Sequence, residues 1–413
     1  MKSLTNWAGN YTFKAASFHT PASIAEVQEQ VAKIRTGRVG GTLHSFNDIV
    51  NNDVHILSTS RLDRIINLDQ VKCTVTVEAG IRYGVLASYL HDHGFALANL
   101  ASLPHISVGG AINTGTHGSG MTNGCLATSV LGMEIVTADG ALLYVDRDTH
   151  ATLFDGMLVS LGALGVVVTV TLKVEPTFNV RQIVFEDVPC ADILENWDAV
   201  MGLGYSVSLF TTWGPTAVDK VWVKQRSTEP PVCRSLFGSN QAQTDVHPLK
   251  NHDAACCTKQ LGEDGPWHER LPHFRLDFTP SSGDELQSEY FVPRAVAPVI
   301  YRLLQGYAVR VAPILFVSEI RSIAADQLWL SPAYGEDMVA FHFTWKGSEA
   351  AVNLMIADLE VALEPFGARP HWGKLFISPP KGYPKMNDFL QLRQSFDLGK
   401  KFTNAFVERN LPQ

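Results

Sequence analysis

The chain has 413 residues, 46% of them hydrophobic and 18% charged, with a net charge of −8. That length holds two or more domains of about 150 residues, and the acidic balance excludes the basic footprint of a nucleic-acid binder. No apolar run approaches the roughly 20 residues that span a bilayer, MKSLTNWAGN carries no apolar signal core, and the six cysteines show no CxxC spacing; a cytoplasmic chain with free thiols and no metal site is expected.

Residues 20–37 predict a helix. Thr20 is placed to cap it, Pro21 suits its first position, Ile24, Val27, Val31 and Ile34 recur at helical spacing, and Gly37 ends it. Arg38–Val39 reads as a short strand running into Gly40-Gly41-Thr42-Leu43-His44-Ser45-Phe46-Asn47. Small residues and a hydroxyl directly after a strand suit close approach of a phosphate. His44 alone reads more readily as a hydrogen-bonded structural residue of the loop than as a ligand or a catalyst. Val71–Glu78 alternates, with Val71, Cys73, Val75 and Val77 on one face of a half-buried strand. A helix follows Gly80 through Val85, Leu86, Tyr89 and Leu90, ending at Gly94.

The stretch Ala101–Gly120, ASLPHISVGGAINTGTHGSG, has five glycines and six small hydroxyl or amide side chains. Successive bare N–H groups in such a loop make an anion cradle; a glycine-rich surface loop fits the composition equally well. It is not a P-loop, because no Gly-Lys-Ser/Thr follows, and no GxGxxG marks a Rossmann turn. Met133–Ala138 and Ala141–Val145 read as a hairpin around Asp139-Gly140, and Val166–Val174 as a β-branched strand.

Composition shifts after Pro176. Strands are expected at Ser206–Thr211, Val221–Lys224 and Phe274–Phe278, a helix at Val296–Leu304, and a long irregular region over 225–266. In Ile314–Arg321, Glu319 and Arg321 share a face. In Met338–Trp345, Val339, Phe341, Phe343 and Trp345 form one apolar face, and His342 and Thr344 share the other. Two aligned polar pairs point to the floor of a cavity rather than to a solvated sheet. A helix follows through Val352, Ile356, Leu359 and Leu363, ending near Gly367. In His371-Trp372-Gly373-Lys374, Gly373 lets the backbone bend and fixes Lys374. Residues 375–413 read as short mixed elements returning to the first domain, with Lys401–Arg409 a terminal strand or helix.

His44-Ser45-Phe46-Asn47 after a glycine turn, Ser102-Leu103-Pro104-His105-Ile106-Ser107 leading to Thr114-Gly115-Thr116-His117-Gly118, and His371-Trp372-Gly373-Lys374 occur together in this order. This set resembles the vanillyl-alcohol-oxidase-type flavoproteins, and within them the alditol oxidases, cousins of the sugar-lactone oxidases. The resemblance covers nearly the whole chain, including Pro266-Trp267-His268-Glu269-Arg270 and Thr279-Pro280-Ser281-Ser282-Gly283.

The resemblance implies an α+β fold of two domains. Residues 1–176 are expected to form a PCMH-type FAD-binding domain, 177–374 a substrate domain with an antiparallel sheet, and 375–413 a segment returning to the FAD domain. It implies FAD held by Gly40, Gly41, Thr42, Leu43, His44, Ser45, Ser102, Ser107, Gly110, Thr114, Gly115, Thr116, His117, Val167 and His371, and bonded covalently to His44. Its pyrophosphate is expected on Gly40–Ser45 and Ser107–His117. Relatives commonly carry Gly before the linking His, where this chain has Leu43.

It further implies that Glu319, Arg321, His342, Thr344 and Lys374 line the substrate pocket, with Ser102 reaching the substrate from the first domain. Arg321 and Lys374 suit the reacting hydroxyl and its developing negative charge. Glu319 is an acceptor for a substrate hydroxyl or the base, and His342 is a competing base. The expected reaction is oxidation of a terminal primary alcohol of an alditol such as xylitol or sorbitol, with O2 reduced to H2O2, by a monomer with no membrane partner. The alternatives are a sugar-1,4-lactone oxidase or dehydrogenase and, more distantly, a non-catalytic flavin-binding protein.

Overall fold

The computed structural model describes residues 4–278 and 285–411, so Thr279–Gly283 lies outside the described residues. The first part of the chain builds two larger sheets and a two-stranded pair, Phe95–Ala96 with Glu175–Pro176. A three-stranded parallel sheet is ordered Ser17–His19, His55–Ser58, Arg38–Gly40. A five-stranded antiparallel sheet is ordered Ile65–Asp69, Thr74–Glu78, Val166–Lys173, Val130–Val136, Leu142–Asp146.

Several boundaries differ from the sequence reading for local reasons. The first helix is Ile24–Lys33, capped by Ser23, whose hydroxyl accepts from the Glu26 N–H; Thr20 and Pro21 lie outside it. Val27 and Val31 are its buried face. The expected strand at Val71 begins at Thr74, because Asp69 accepts the N–H groups of Val71 and Lys72 and folds them into a turn. Val71 is accordingly 95% exposed. The hairpin pairs Val130–Val136 with Leu142–Asp146, a few residues from the expected bounds.

Beside a small two-stranded pair, Ser235–Leu236 with Ser239–Asn240, the second part is built on one antiparallel sheet of eight strands. Its order is Gly265–Pro266, Asn179–Pro189, Ala217–Arg226, Ser206–Thr211, Leu315–Ile323, Met338–Trp345, Leu286–Pro293, Arg369–Pro370. One face is apolar: Val207, Leu209, Val221, Val223, Ile320, Val339, Phe341, Phe343 and Trp345 pack under the helices Ala297–Gln305 and Glu349–Leu363. Burying each such side chain contributes roughly 1.5–3 kcal/mol. The opposite face carries the polar residues. Phe274–Phe278 is not a strand: Phe274 makes a single bridge to Cys257, and the N–H groups of His273 and Phe274 both donate to Ser102 O, holding the segment as a loop.

The tail forms two helices, Met386–Phe396 and Ala405–Asn410. The buried Arg38 guanidinium donates to Phe402 O (2.7 Å), and also to Ile49 O, Leu161 O and Gly162 O. The Asn404 amide donates to the carbonyls of Asp48, Ile49 and Asn51. The last helix is thereby fastened to the turn that follows the Arg38–Gly40 strand. Among the described residues, no helix is long and apolar enough to cross a membrane.

Candidate active site

One cavity of about 550 Å³ runs between the glycine turn at Gly41–Phe46, the Ser102–His117 stretch and the polar face of the large sheet. About a third of the glycine-rich stretch is not a loop: Val108–Thr114 is a helix, with Ser107 in the capping position and Gly115 in the left-handed conformation (φ 67°) closing it. Two glycines inside a helix run against propensity. Gly109 is required by close packing, since a Cβ there would lie 2.9 Å from Ala79 O.

The two glycine segments touch. The Ser107 N–H donates to Thr42 Oγ1 (3.2 Å), and a Cβ on Gly41 would meet Ser107 Oγ at 2.1 Å. Ser107 Oγ and His44 Nδ1 are buried with no protein partner. Bare backbone, a free hydroxyl and a free ring nitrogen around a large cavity fit a bound FAD. Leu43 sits at φ 58°, the region that glycine adopts freely. For leucine this costs about 1–2 kcal/mol, and the bond from the Trp7 N–H to Leu43 O (2.8 Å) helps to fix it.

His44 stacks against Trp7, with ring centroids 5.1 Å apart. Burial, reinforced by His105, pushes its pKa down to about 4, so the imidazole is neutral at ordinary pH and its lone pair is available. The same loop positions Lys374. The Asn47 amide donates to Trp372 O and Lys374 O, both at 2.8 Å, and the Phe46 N–H donates to Gly373 O.

Strand register assembles the opposite wall. Glu319 pairs with His342 and with Phe210, His342 pairs with Glu289, and Thr344 pairs with Gln287. Because side chains alternate, Glu319, Arg321, His342, Thr344, Gln287 and Glu289 emerge on one face. Ser102 reaches this face from the first part of the chain, where its Oγ accepts from Arg321 Nη1 (3.2 Å).

The charges are densely coupled. Glu289 binds Arg321 Nη2 and Lys374 Nζ, each at 2.7 Å, and lies 3.2 Å from His117 Nε2. Burial alone would raise the Glu289 pKa, but Lys374, His117 and Arg321 outweigh it and hold the carboxyl well below its usual range. Burial likewise opposes the charge of Glu319, and Arg321 and His273 overcome it, so this carboxyl is also held low. Burial lowers Lys374, with Glu289 acting against the shift. His342 is pushed down to about 3, by burial first and then by Lys374. Its Nε2–H donates to Gln287 Oε1 (3.1 Å), leaving Nδ1 buried and without a protein partner. The arrangement offers two neutralised cations, a fixed carboxylate and one neutral imidazole with a free lone pair.

Of the residues expected at the site, Gly41, Thr42, Leu43, His44, Ser45, Ser102, Ser107, Gly110, Thr114, Thr116, His117, Val167, Glu319, Arg321, His342, Thr344, His371 and Lys374 all line this cavity. Gly40 and Gly115 do not. A Cβ on Gly40 would meet Leu43 and Val50 at 2.7 and 3.0 Å, so it packs inside the turn, and Gly115 closes a helix. Sequence reasoning missed Glu289 and His273. Glu289 stands two residues from Gln287 on a strand whose two faces both mix polar and large apolar residues, so alternation does not single it out; His273 is in a loop without periodicity.

Among the described residues, two trios converge closely enough to hold an ion, His117–Glu289–His371 and His247–Cys256–Cys257. In the first, Glu289 is already neutralised by two cations. In the second, the Leu249 N–H occupies His247 Nδ1, and burial pushes the Cys257 thiol up, so neither is in the ligating form.

The FAD binding domain family matches residues 15–146, and the D-arabinono-1,4-lactone oxidase family matches residues 284–410. The chain is 44% identical over 411 residues to the alditol oxidase of a Streptomyces species, covering 98% of each chain. It is 26% identical over 436 residues to the L-gulonolactone oxidase of Mus musculus, covering 98% of this chain and 97% of that one. Cholesterol oxidase of Brevibacterium sterolicum has the same fold, with a TM-score of 0.80 at 16% identity over 100% of this chain and 97% of that one.

Proposed function

The chain belongs to the alditol oxidase family, and on that premise we propose that it oxidises the terminal primary alcohol of an alditol such as xylitol or sorbitol to the aldose, with O2 reduced to H2O2. The observation that carries this reading is the single cavity shared by the two glycine segments and by Ser102, Glu319, Arg321, His342, Thr344 and Lys374. Residues 1–176 with 375–413 make the cofactor part, and 177–374 the substrate part.

FAD would be held by Gly41–Ser45, Ser107, Gly110, Thr114, Thr116, His117, Val167 and His371, and would supply a two-electron acceptor for the hydride of the alcohol carbon. His44 carries the covalent attachment: burial keeps its ring neutral, and its Nδ1 makes no hydrogen bond to a protein group. Acid precipitation tests this: yellow colour should stay with the pellet, and colour released wholly to the supernatant contradicts it.

An alditol is uncharged and rich in hydroxyls, so its pocket must offer fixed donors and acceptors. Arg321 and Lys374 donate to the reacting oxygen and stabilise its developing negative charge. Glu319 is tied to His273 and Arg321 and accepts a neighbouring substrate hydroxyl. His342 Nδ1 takes the hydroxyl proton. Ser102 and Thr344 add neutral hydrogen bonds.

The match of residues 284–410 to the D-arabinono-1,4-lactone oxidase family favours a second reading, oxidation of a sugar-1,4-lactone in the same cavity. Oxygen uptake separates the two: xylitol and sorbitol should drive uptake with matching peroxide release, whereas uptake on a galactono- or gulonolactone alone supports the second reading.

A further inference from the structure

Lys224 is fully buried on the polar face of the large sheet, two strands from Glu319, and has no part in the chemistry above. An ammonium has three N–H groups, and three acceptors surround this one: Leu271 O at 2.5 Å, Pro272 O at 3.1 Å and His273 Nδ1 at 3.1 Å. Because Nδ1 of His273 accepts, the one proton of its neutral ring is on Nε2. That nitrogen stands 2.6 Å from Glu319 Oε1. Arg321 makes its short bond to Glu289 and approaches Glu319 only to 3.6 Å through Nε. The His273 bond is therefore the close support of the Glu319 charge. His273 is in turn anchored by its own N–H to Ser102 O (3.1 Å).

We propose that Lys224 and His273 are positioning residues that act through Glu319. The Lys224 ammonium pins the His273 ring with Nε2–H outward, and that N–H keeps Glu319 an ionised acceptor whose remaining lone pairs take a substrate hydroxyl. The proposal rests on Glu319 being a substrate contact. The charged and titratable groups facing Glu319 are Arg321 on its own strand, His342 from the adjacent strand, His273 from the loop, and the ammonium groups of Lys224 and Lys374; those facing Lys224 are Glu319, Arg321, His273 and Cys257. Burial pushes the His273 ring down to about 4, with Lys224 acting in the same direction, so the ring stays neutral where the enzyme works.

The test has two readouts on the holoenzyme. Ring 15N shifts of His273, assigned by their loss in His273→Gln, report the tautomer without turnover. A neutral Nε2–H ring is expected from about pH 5 to 6 in the wild type, below the value of about 7 to which burial pushes the Lys224 ammonium, with the ring titration moving upward in Lys224→Met; a wild-type ring that is protonated or carries Nδ1–H in that range overturns the proposal. Kinetics on xylitol give the second. His273→Leu should raise KM about tenfold or more while changing kcat far less, the loss expected when a charged acceptor is no longer held in place. Its kcat/KM should also acquire an acid limb, because burial then drives Glu319 upward. His273→Gln, whose amide can donate, should restore both. His273→Leu with unchanged KM and no acid limb, or His273→Gln as impaired as His273→Leu, contradicts the proposal. Wild-type enzyme inactive on xylitol would contradict the functional reading instead, leaving the ring shifts to decide this one.

Discussion

Glu289 Oε2 lies 2.7 Å from the Lys374 ammonium, and the two residues come from a strand and a loop 85 positions apart. The same carboxylate binds Arg321, so one buried anion is paired with both cations that face the reacting alcohol, and Glu319 beside Arg321 supplies the second negative charge. Truncating one partner of such a network leaves uncompensated buried charge. Glu289→Gln should therefore lose roughly 3–5 kcal/mol of stability at pH 7. The Glu289 pKa is depressed on folding, so its contribution is complete above the unfolded value of about 4.3 and is lost as pH falls through the folded value. Denaturant midpoints should show a wide gap between wild type and variant at pH 7 that narrows below about pH 4. Equal stability at pH 7 would mean that the network is not the support described.

Lys374→Met should lower kcat on xylitol about 10²–10³-fold, the range for removal of one donor to a developing oxyanion. Glu289 keeps Arg321 as a partner, so stability should fall less than in Glu289→Gln, and flavin content should be unchanged. Turnover equal to wild type would remove Lys374 from the chemistry.

The contact of Gly41 with Ser107 makes a paired prediction. An added Cβ would lie 2.1 Å from Ser107 Oγ and 3.3 Å from its Cβ. Gly41→Ala should thus cost about 1–3 kcal/mol, and Ser107→Ala in the same chain should recover most of it, since only the tolerable 3.3 Å contact remains. Thermal unfolding of the four proteins in a double-mutant cycle measures the coupling. Additive losses would show that the two segments do not meet as described.

Much of this site was legible where alternation is strict. Met338–Trp345 matches its expected bounds, because four apolar residues at every second position leave no other register. Glu319, Arg321, His342 and Thr344 share a face for the same reason. The site also escaped local reading in two places. Glu289 is on a strand, LQSEYFVP, whose two faces both carry large and polar residues, so period alone does not reveal it. His273 is placed by carbonyl and N–H bonds to distant segments, which no local pattern encodes. Val108–Thr114 is helical despite its glycines because tertiary packing against Ala79 overrides propensity. The Val71 error is local: Asp69 captures two N–H groups and delays the strand.

His44 should be dispensable for folding but not for linkage. His44→Ala removes a half-buried ring stacked on Trp7, so stability should drop modestly, by about 1 kcal/mol. Its flavin should be released by acid into the supernatant, where wild-type flavin stays in the pellet. Pellet-bound colour in His44→Ala would move the attachment to another residue.

The most direct test of the account is anaerobic mixing of the oxidised holoenzyme with xylitol while the yellow flavin absorbance is followed. Complete bleaching in the wild type is predicted, with bleaching about 10²-fold or more slower in His342→Asn, whose amide cannot take the proton that Nδ1 accepts. Flavin that stays oxidised with xylitol and sorbitol yet bleaches with a sugar lactone would contradict the assignment of this cavity to alditols.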